Sequence, residues 1–185
     1  MMSFTAVNSV PGEIESGLAR TALEERFGRL LAENGPALSR LAGSYARKAS
    51  DRDDLLQDIA MAIWQALPSF RGECTERTFL FRIAHNRAIA YLIRQRSGAD
   101  EAPEEFEPVD PGPDVETTLV RDEGERRLMR AVRLLPILYR QVVVLMLEGM
   151  DYSEIAATVG ISESNVGARL TRARQMLRSL LEGEK

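Results

Sequence analysis

An all-α chain arranged as two small helical units is the architecture this sequence predicts, and three observations predict it. Apolar residues recur at helical spacing through most of the length, no segment alternates as a strand would, and one proline-rich acidic stretch near the middle cannot pack a core. The chain has 185 residues, 44% of them hydrophobic and 28% charged, enough to build one ordinary domain or two small ones.

Residues 1–21 hold Ser, Asn, Pro and Gly with little periodicity and read as a loose lead-in, its end open to helix. Phe27, Leu30 and Leu31, then Leu38, Leu41 and Tyr45, predict helices from Leu23 to about Glu33 and from Pro36 to Lys48, with Gly35-Pro36 separating them. Ser50 followed by Asp53 predicts the next helix start, the serine oxygen accepting free backbone N–H groups. That helix runs to about Ala66 with Leu55 or Leu56, Ile59, Ile63 and Leu67 as its buried stripe, and Pro68 stops it. A polar loop with Arg71, Gly72 and Cys74 leads to a long helix from Thr78 to Arg96, lined inside by Leu80, Ala84, Ala88 and Tyr91.

Ser97 to about Thr118 contains Pro103, Pro108, Pro111 and Pro113 and reads as a linker. Beyond it Leu119–Leu135, Pro136–Glu148, Tyr152–Val159 and Glu163–Leu181 show helical periodicity, with Gly149 and Gly160 as C-terminal stops. The expected division is a lead-in at 1–21, helical domains at 22–97 and 120–185, and a linker at 98–119.

Composition excludes several function classes. No apolar run approaches a membrane span, the N-terminus lacks the basic-then-apolar pattern of a secretion signal, and the one cysteine, Cys74, permits no internal disulfide. The expected setting is therefore the cytoplasm. No Cys/His cluster has zinc-ligand spacing, and neither a cofactor nor a metal site is expected. Asp54 and Asp58 share a helix face and would be the start of a metal site, yet no histidine or further carboxylate run accompanies them, and a solvated first turn is the commoner reading. A catalytic cluster is missing too, so the chain is not expected to be an enzyme.

The net charge of −4 argues against nucleic acid only on average. Residues 98–120 carry eight acids and no Lys or Arg, and without them the remainder is net positive. The surplus concentrates in two places. Arg71 to Ser97 holds Arg71, Arg77, Arg82, Arg87, Arg94 and Arg96 against only Glu73 and Glu76, while Arg169, Arg172, Arg174 and Arg178 crowd the last predicted helix.

That last helix completes a two-helix motif. Asp151 with Glu154 forms a capping-box start for a short helix, Ile155, Ala156 and Val159 give it an apolar face, and Gly160-Ile161-Ser162 supplies the turn. In the second helix Val166, Leu170, Ala173 and Leu177 face inward, which turns Ser164, Asn165, Ala168, Arg169, Thr171, Arg172 and Gln175 outward or to the flanks. This is helix-turn-helix spacing: Gly167 and Ala168 permit close approach to a groove, Ser164, Asn165 and Arg169 suit base edges, and Arg172, Arg174 and Arg178 suit phosphates. The competing reading is an ordinary helical hairpin with a solvated basic face.

The stretch from Leu135-Pro136 through Tyr139-Arg140-Gln141-Val142, Glu148-Gly149 and Tyr152-Ser153-Glu154-Ile155-Ala156 to Arg169-Leu170-Thr171-Arg172-Ala173-Arg174 resembles the fourth conserved region of bacterial sigma factors. Gly167-Ala168 departs from the Lys-Ser pair frequent in that family. Asp53-Asp54-Leu55-Leu56-Gln57-Asp58-Ile59 through Trp64 resembles the family's polymerase-binding helix, and Thr78-Phe79-Leu80-Phe81-Arg82-Ile83-Ala84-His85-Asn86-Arg87-Ala88 its minus-ten recognition segment, with Phe79 where tryptophan is usual. The chain is thus similar to extracytoplasmic-function (ECF) sigma factors of the sigma-70 family.

The resemblance implies a non-catalytic initiation factor. Asp53, Asp54, Gln57 and Asp58 would meet the clamp coiled coil in the largest subunit of core RNA polymerase, and the C-terminal domain its flap. Arg71, Arg77, Phe79, Arg82, His85, Asn86 and Arg96 would read the minus-ten element, and Ser164, Asn165, Ala168, Arg169, Arg172 and Arg174 the minus-thirty-five element of promoter DNA. An anti-sigma factor would clamp the two domains. For His85 a surface or capping role is an equal alternative, Trp64 is expected in the core, and Cys74 reads as a small neutral filler.

Overall fold

The computed structural model describes residues 11–46, 48–98 and 116–183, and every described element is helical. Seven α-helices follow in order: α1 (Pro11–Tyr45), α2 (Ala49–Ala66), α3 (Glu76–Gly98), α4 (Glu116–Leu134), α5 (Ile137–Leu147), α6 (Tyr152–Val159) and α7 (Glu163–Glu182), with one 3-10 turn at Leu67–Ser69. The linker expected at 98–119 lies outside the described residues except at its ends, where α3 reaches Gly98 and α4 starts at Glu116.

The first correction concerns the N-terminal third. Helix begins at Pro11, inside the expected lead-in, and continues unbroken through Gly35-Pro36 as one element of 35 residues. Proline within a helix costs about 3 kcal/mol, because it removes one N–H and crowds the preceding turn. Burial on both sides offsets that cost. Leu30, Leu38, Leu41, Ala42 and Tyr45 are all buried, each leucine contributing roughly 1.5–3 kcal/mol. Asn34 Nδ2 also donates to the Leu30 carbonyl at 3.0 Å.

Ser50 is not the start of α2. Lys48 occupies the N-cap position without a side-chain capping bond to the helix start, and the Ser50 hydroxyl lies 3.4 Å from Asp51 Oδ1. Of the expected stripe, Leu55, Ile59 and Ile63 are buried in α2, and Leu67 is buried just beyond it in the 3-10 turn. Leu80, Ala84 and Ala88 line the inner face of α3, and Trp64 of α2 meets Phe27 of α1 edge-on at 5.2 Å.

The C-terminal helices pack α5 and α6 against α7, with α4 along α7. Val142, Val143, Val144 and Leu145 are all buried, which is why α5 reads as a continuous apolar run. The two halves do not keep separate cores. α3 packs on α6, α1 reaches α4 and α5, and the buried side chains form one contiguous cluster from Leu30 to Ala173.

Candidate nucleic-acid interface

Local chemistry builds the C-terminal motif. The Asp151 carboxylate accepts from the Glu154 N–H at 2.8 Å while the Glu154 carboxylate accepts from the Asp151 N–H at 3.0 Å, so both free donors at the start of α6 are occupied. The bond from the Glu154 N–H, with one from the Ser153 hydroxyl, holds the Asp151 carboxyl below the usual carboxylate range. Gly160 ends α6 at φ +75°, a left-handed conformation costly for other residues, and Ser162 caps α7 by accepting from the Asn165 N–H.

Val166, Leu170 and Ala173 point into the core, and Leu177 is half-buried. The opposite side of α7 leaves Ser164, Asn165, Ala168, Arg172 and Arg174 exposed and Arg169 partly so. One expectation changes here. Gly167 faces α6, where an added β-carbon would sit 3.4 Å from Tyr152 Cε2, so its small size serves packing between the two helices.

The acidic face of α2 carries Asp54, Gln57 and Asp58 with exposed Met61 one turn on; Asp53 stands beside them, bonded to Arg52. Asp58 differs from the others. Its side chain is only 35% exposed and lies within 3.7 Å of Arg87 and 3.6 Å of Arg94, both on α3. Met61, 56% exposed on an otherwise polar stripe, is legible in the sequence only as a break in that polarity.

Around the start of α3, Phe79 stacks against Phe70 at 4.8 Å, and Arg26 of α1 lies over the Phe70 ring. Arg71 and Asn86 are exposed, while Arg82 is half-buried with a terminal nitrogen 4.0 Å from Cys74 Sγ. Arg96 stands in the last turn of α3, and its side chain lies outside the described residues. Arg77 bends over the Phe81 ring and donates to the Glu148 carbonyl in the α5–α6 turn.

His85 does not take the expected surface position. It is 4% exposed, its Nδ1 finds no hydrogen-bond partner among the described residues, and burial depresses its pKa to about 4. It lies two turns along α3 from Thr78, which is itself buried and bonded to Glu154 of α6 at 3.3 Å.

The described helices thus place a capped helix-turn-helix in the C-terminal half and an arginine-rich long helix beside an acidic helix in the N-terminal half. The family model of sigma-70 region 2 matches residues 30–98, and that of sigma-70 region 4 matches residues 125–177. The RNA polymerase sigma factor CnrH of Cupriavidus metallidurans is 30% identical over 177 residues, covering 90% of this chain and 92% of that one. The ECF RNA polymerase sigma factor SigM of Mycobacterium tuberculosis is 31% identical over 157 residues, 84% of this chain and 76% of that one. A solved structure of CnrH with the cytosolic domain of CnrY aligns with TM-score 0.66 and 30% identity, covering 91% of this chain and 97% of that one. The sigma factor RpoE of Bartonella quintana, solved with the anti-sigma factor NepR, aligns with TM-score 0.70 and 25% identity over 87% of this chain and 99% of that one. The chain belongs to the ECF sigma factors of the sigma-70 family.

Proposed function

We propose that this sigma factor docks on core RNA polymerase through α2 and directs it to promoters with two separate DNA readers. Asp53, Asp54, Gln57 and Asp58 face the basic clamp coiled coil, with Met61 adding an apolar contact, and the C-terminal unit meets the flap. Opposite charge across such a contact favours encounter and register. In this reading Arg71, Arg77, Phe79, Arg82, His85, Asn86 and Arg96 serve the minus-ten element and its opened strand, and the Phe70–Phe79 pair gives an unstacked base an aromatic neighbour.

The observation that carries the reading is the outward face of α7. Ser164, Asn165, Ala168, Arg169, Arg172 and Arg174 place hydrogen-bonding and cationic groups along one helix behind a well-capped partner, the geometry that enters a major groove. The minus-thirty-five element would lie about two turns upstream of the other reader. Domains at 22–97 and 120–185 with a tether at 98–119 suit that spacing. Function is binding rather than catalysis, in the cytoplasm where polymerase is; among the described residues no helix is long and apolar enough to cross a membrane.

An anti-sigma factor is the proposed regulator, supported by the RpoE relative solved with one. Run-off transcription with purified core polymerase on a random promoter library tests the whole reading. The expected result is enrichment of a two-part sequence motif dependent on this chain. Uniform transcription, or none above core enzyme alone, would remove it.

A further inference from the structure

Resting on the proposed function, we infer that Arg26 of α1 is a positioning residue for the minus-ten reader: one guanidinium ties together the two ends of the loop beside the Phe70–Phe79 pair. Its Nη2 and Nε donate at 2.6 and 2.7 Å to Oε1 of Glu76, the first residue of α3. The same group lies over the Phe70 ring, 5.2 Å from its centre. Phe70 follows the 3-10 turn at the start of the loop, and Glu76 stands at its end. Arg26 precedes Glu76 by 50 residues and reaches it because α1 packs along both the 3-10 turn and α3.

Little else fixes this loop. The Phe70 N–H donates to the Leu67 carbonyl at 3.2 Å, and Thr75 Oγ1 accepts from the Thr78 N–H at 3.0 Å. Between those anchors Arg71, Gly72, Glu73 and Cys74 make no backbone hydrogen bond among the described residues, and Gly72 turns the chain at φ +75°. A segment without bonds of its own takes its shape from the scaffold at its ends, and Arg26 holds both ends. Phe70 and Phe79 lie 4.8 Å apart, so a cation held over one ring also restrains the aromatic surface offered to an unstacked base.

Charge supplies a second reason. Glu73 and Glu76 are the only acids between Arg71 and Ser97. An acid suits the first turn of a helix, yet a carboxylate beside a phosphate chain repels it. Arg26 gives Glu76 a counter-ion from outside the arginine-rich stretch, so α3 keeps its acidic start without a free negative charge at the DNA-reading face. The two side chains are 32% and 35% exposed, and removing either leaves no deeply buried charge behind.

Arg26→Gln and Glu76→Gln test the brace in the full chain. Cys74, the only cysteine, lies within the loop and is partly exposed, so its rate of alkylation by N-ethylmaleimide reports the loop independently of function. Both variants should react several-fold faster than the parent. Losing a cation and losing an anion shift thiolate formation in opposite directions, so acceleration in both reads loosening rather than charge.

Run-off transcription by the holoenzyme, with each base in turn at every minus-ten position, reads the positioning. Both variants should lose on the order of tenfold at the preferred base of one position, the size of one aromatic–base contact. Preference at the minus-thirty-five element and affinity for core polymerase should match the parent. The double variant should cost no more than Arg26→Gln alone, because both substitutions break one contact. Equal loss at both promoter elements, an unchanged minus-ten preference, or parental alkylation rates overturns the positioning role, and Glu76→Gln carries the test should Arg26→Gln fold poorly. Faster alkylation in both variants with no promoter-dependent run-off from any form removes the functional reading and leaves the brace. Parental alkylation rates with promoter-dependent run-off intact remove the brace and leave that reading.

Discussion

The ring of Tyr152, the first residue of α6, lies against Gly167 of α7 with room for one ordinary contact, 3.4 Å from where a β-carbon would stand. This places the smallest residue of α7 between helices and leaves the proposed promoter contacts to its neighbours Ser164, Asn165, Ala168 and Arg169.

Gly167→Ala should consequently stabilise the protein. A glycine inside a helix costs roughly 0.5–1 kcal/mol relative to alanine, and here the added methyl meets no closer atom. Urea denaturation should show the midpoint rise by that equivalent with an unchanged slope. A fall in midpoint would mean that α6 and α7 sit closer than described.

Arg169 and Arg172 test the reader itself. Replacing both with alanine should reduce promoter-dependent run-off by at least about tenfold, since each contact to a base or phosphate is worth roughly 1–3 kcal/mol. Core polymerase binding, measured in parallel, should not change. Undiminished transcription would reassign the face of α7.

The single histidine gives stability a signature in pH. His85 has its folded pKa lowered to about 4 by burial, against 6.5 in the ordinary state. The unfolded chain therefore binds more protons between those values, and stability, full above about pH 6.5, falls as pH drops toward about 4, by up to about 3 kcal/mol. His85→Leu should flatten denaturant midpoints across this window. An equal slope in parent and variant would show that the imidazole is solvated.

Asp151 acts lower on the scale. Its carboxyl is held below 3.8 by the bonds that cap α6, so its stabilising contribution is present above that value and is lost as pH falls through the lowered one. Asp151→Asn retains a capping oxygen without the titration. The two proteins should therefore differ in the steepness of their acid unfolding, while a constant offset at every pH would disprove the assignment.

What the amino-acid order discloses is what neighbours in the chain decide. Asp151 and Glu154 are three residues apart, Gly160 ends its helix by its own conformational freedom, and Val166, Leu170 and Ala173 mark a face by spacing alone. All are readable from residues close together. Pro36 is a local breaker, yet tertiary burial of Leu30, Leu38 and Leu41 overrides it. His85 escapes because α1, α2 and α6 all pack on α3 and no spacing within one helix says which edges they cover, and the ion pair of Arg40 with Glu148 escapes because 108 residues separate them. No periodicity encodes a contact between two units.

Asp58 joins two tasks in one carboxylate. It stands on the face of α2 proposed for polymerase, while Arg87 and Arg94 approach it from the helix proposed for the melted strand. A basic surface that draws this carboxylate toward itself would leave two guanidinium groups without their counter-ion, and in an open initiation complex the nearest replacement is the phosphate chain of the DNA being unwound. Arrival at the enzyme would thereby retune the appetite of the neighbouring helix for nucleic acid, with no helix needing to move.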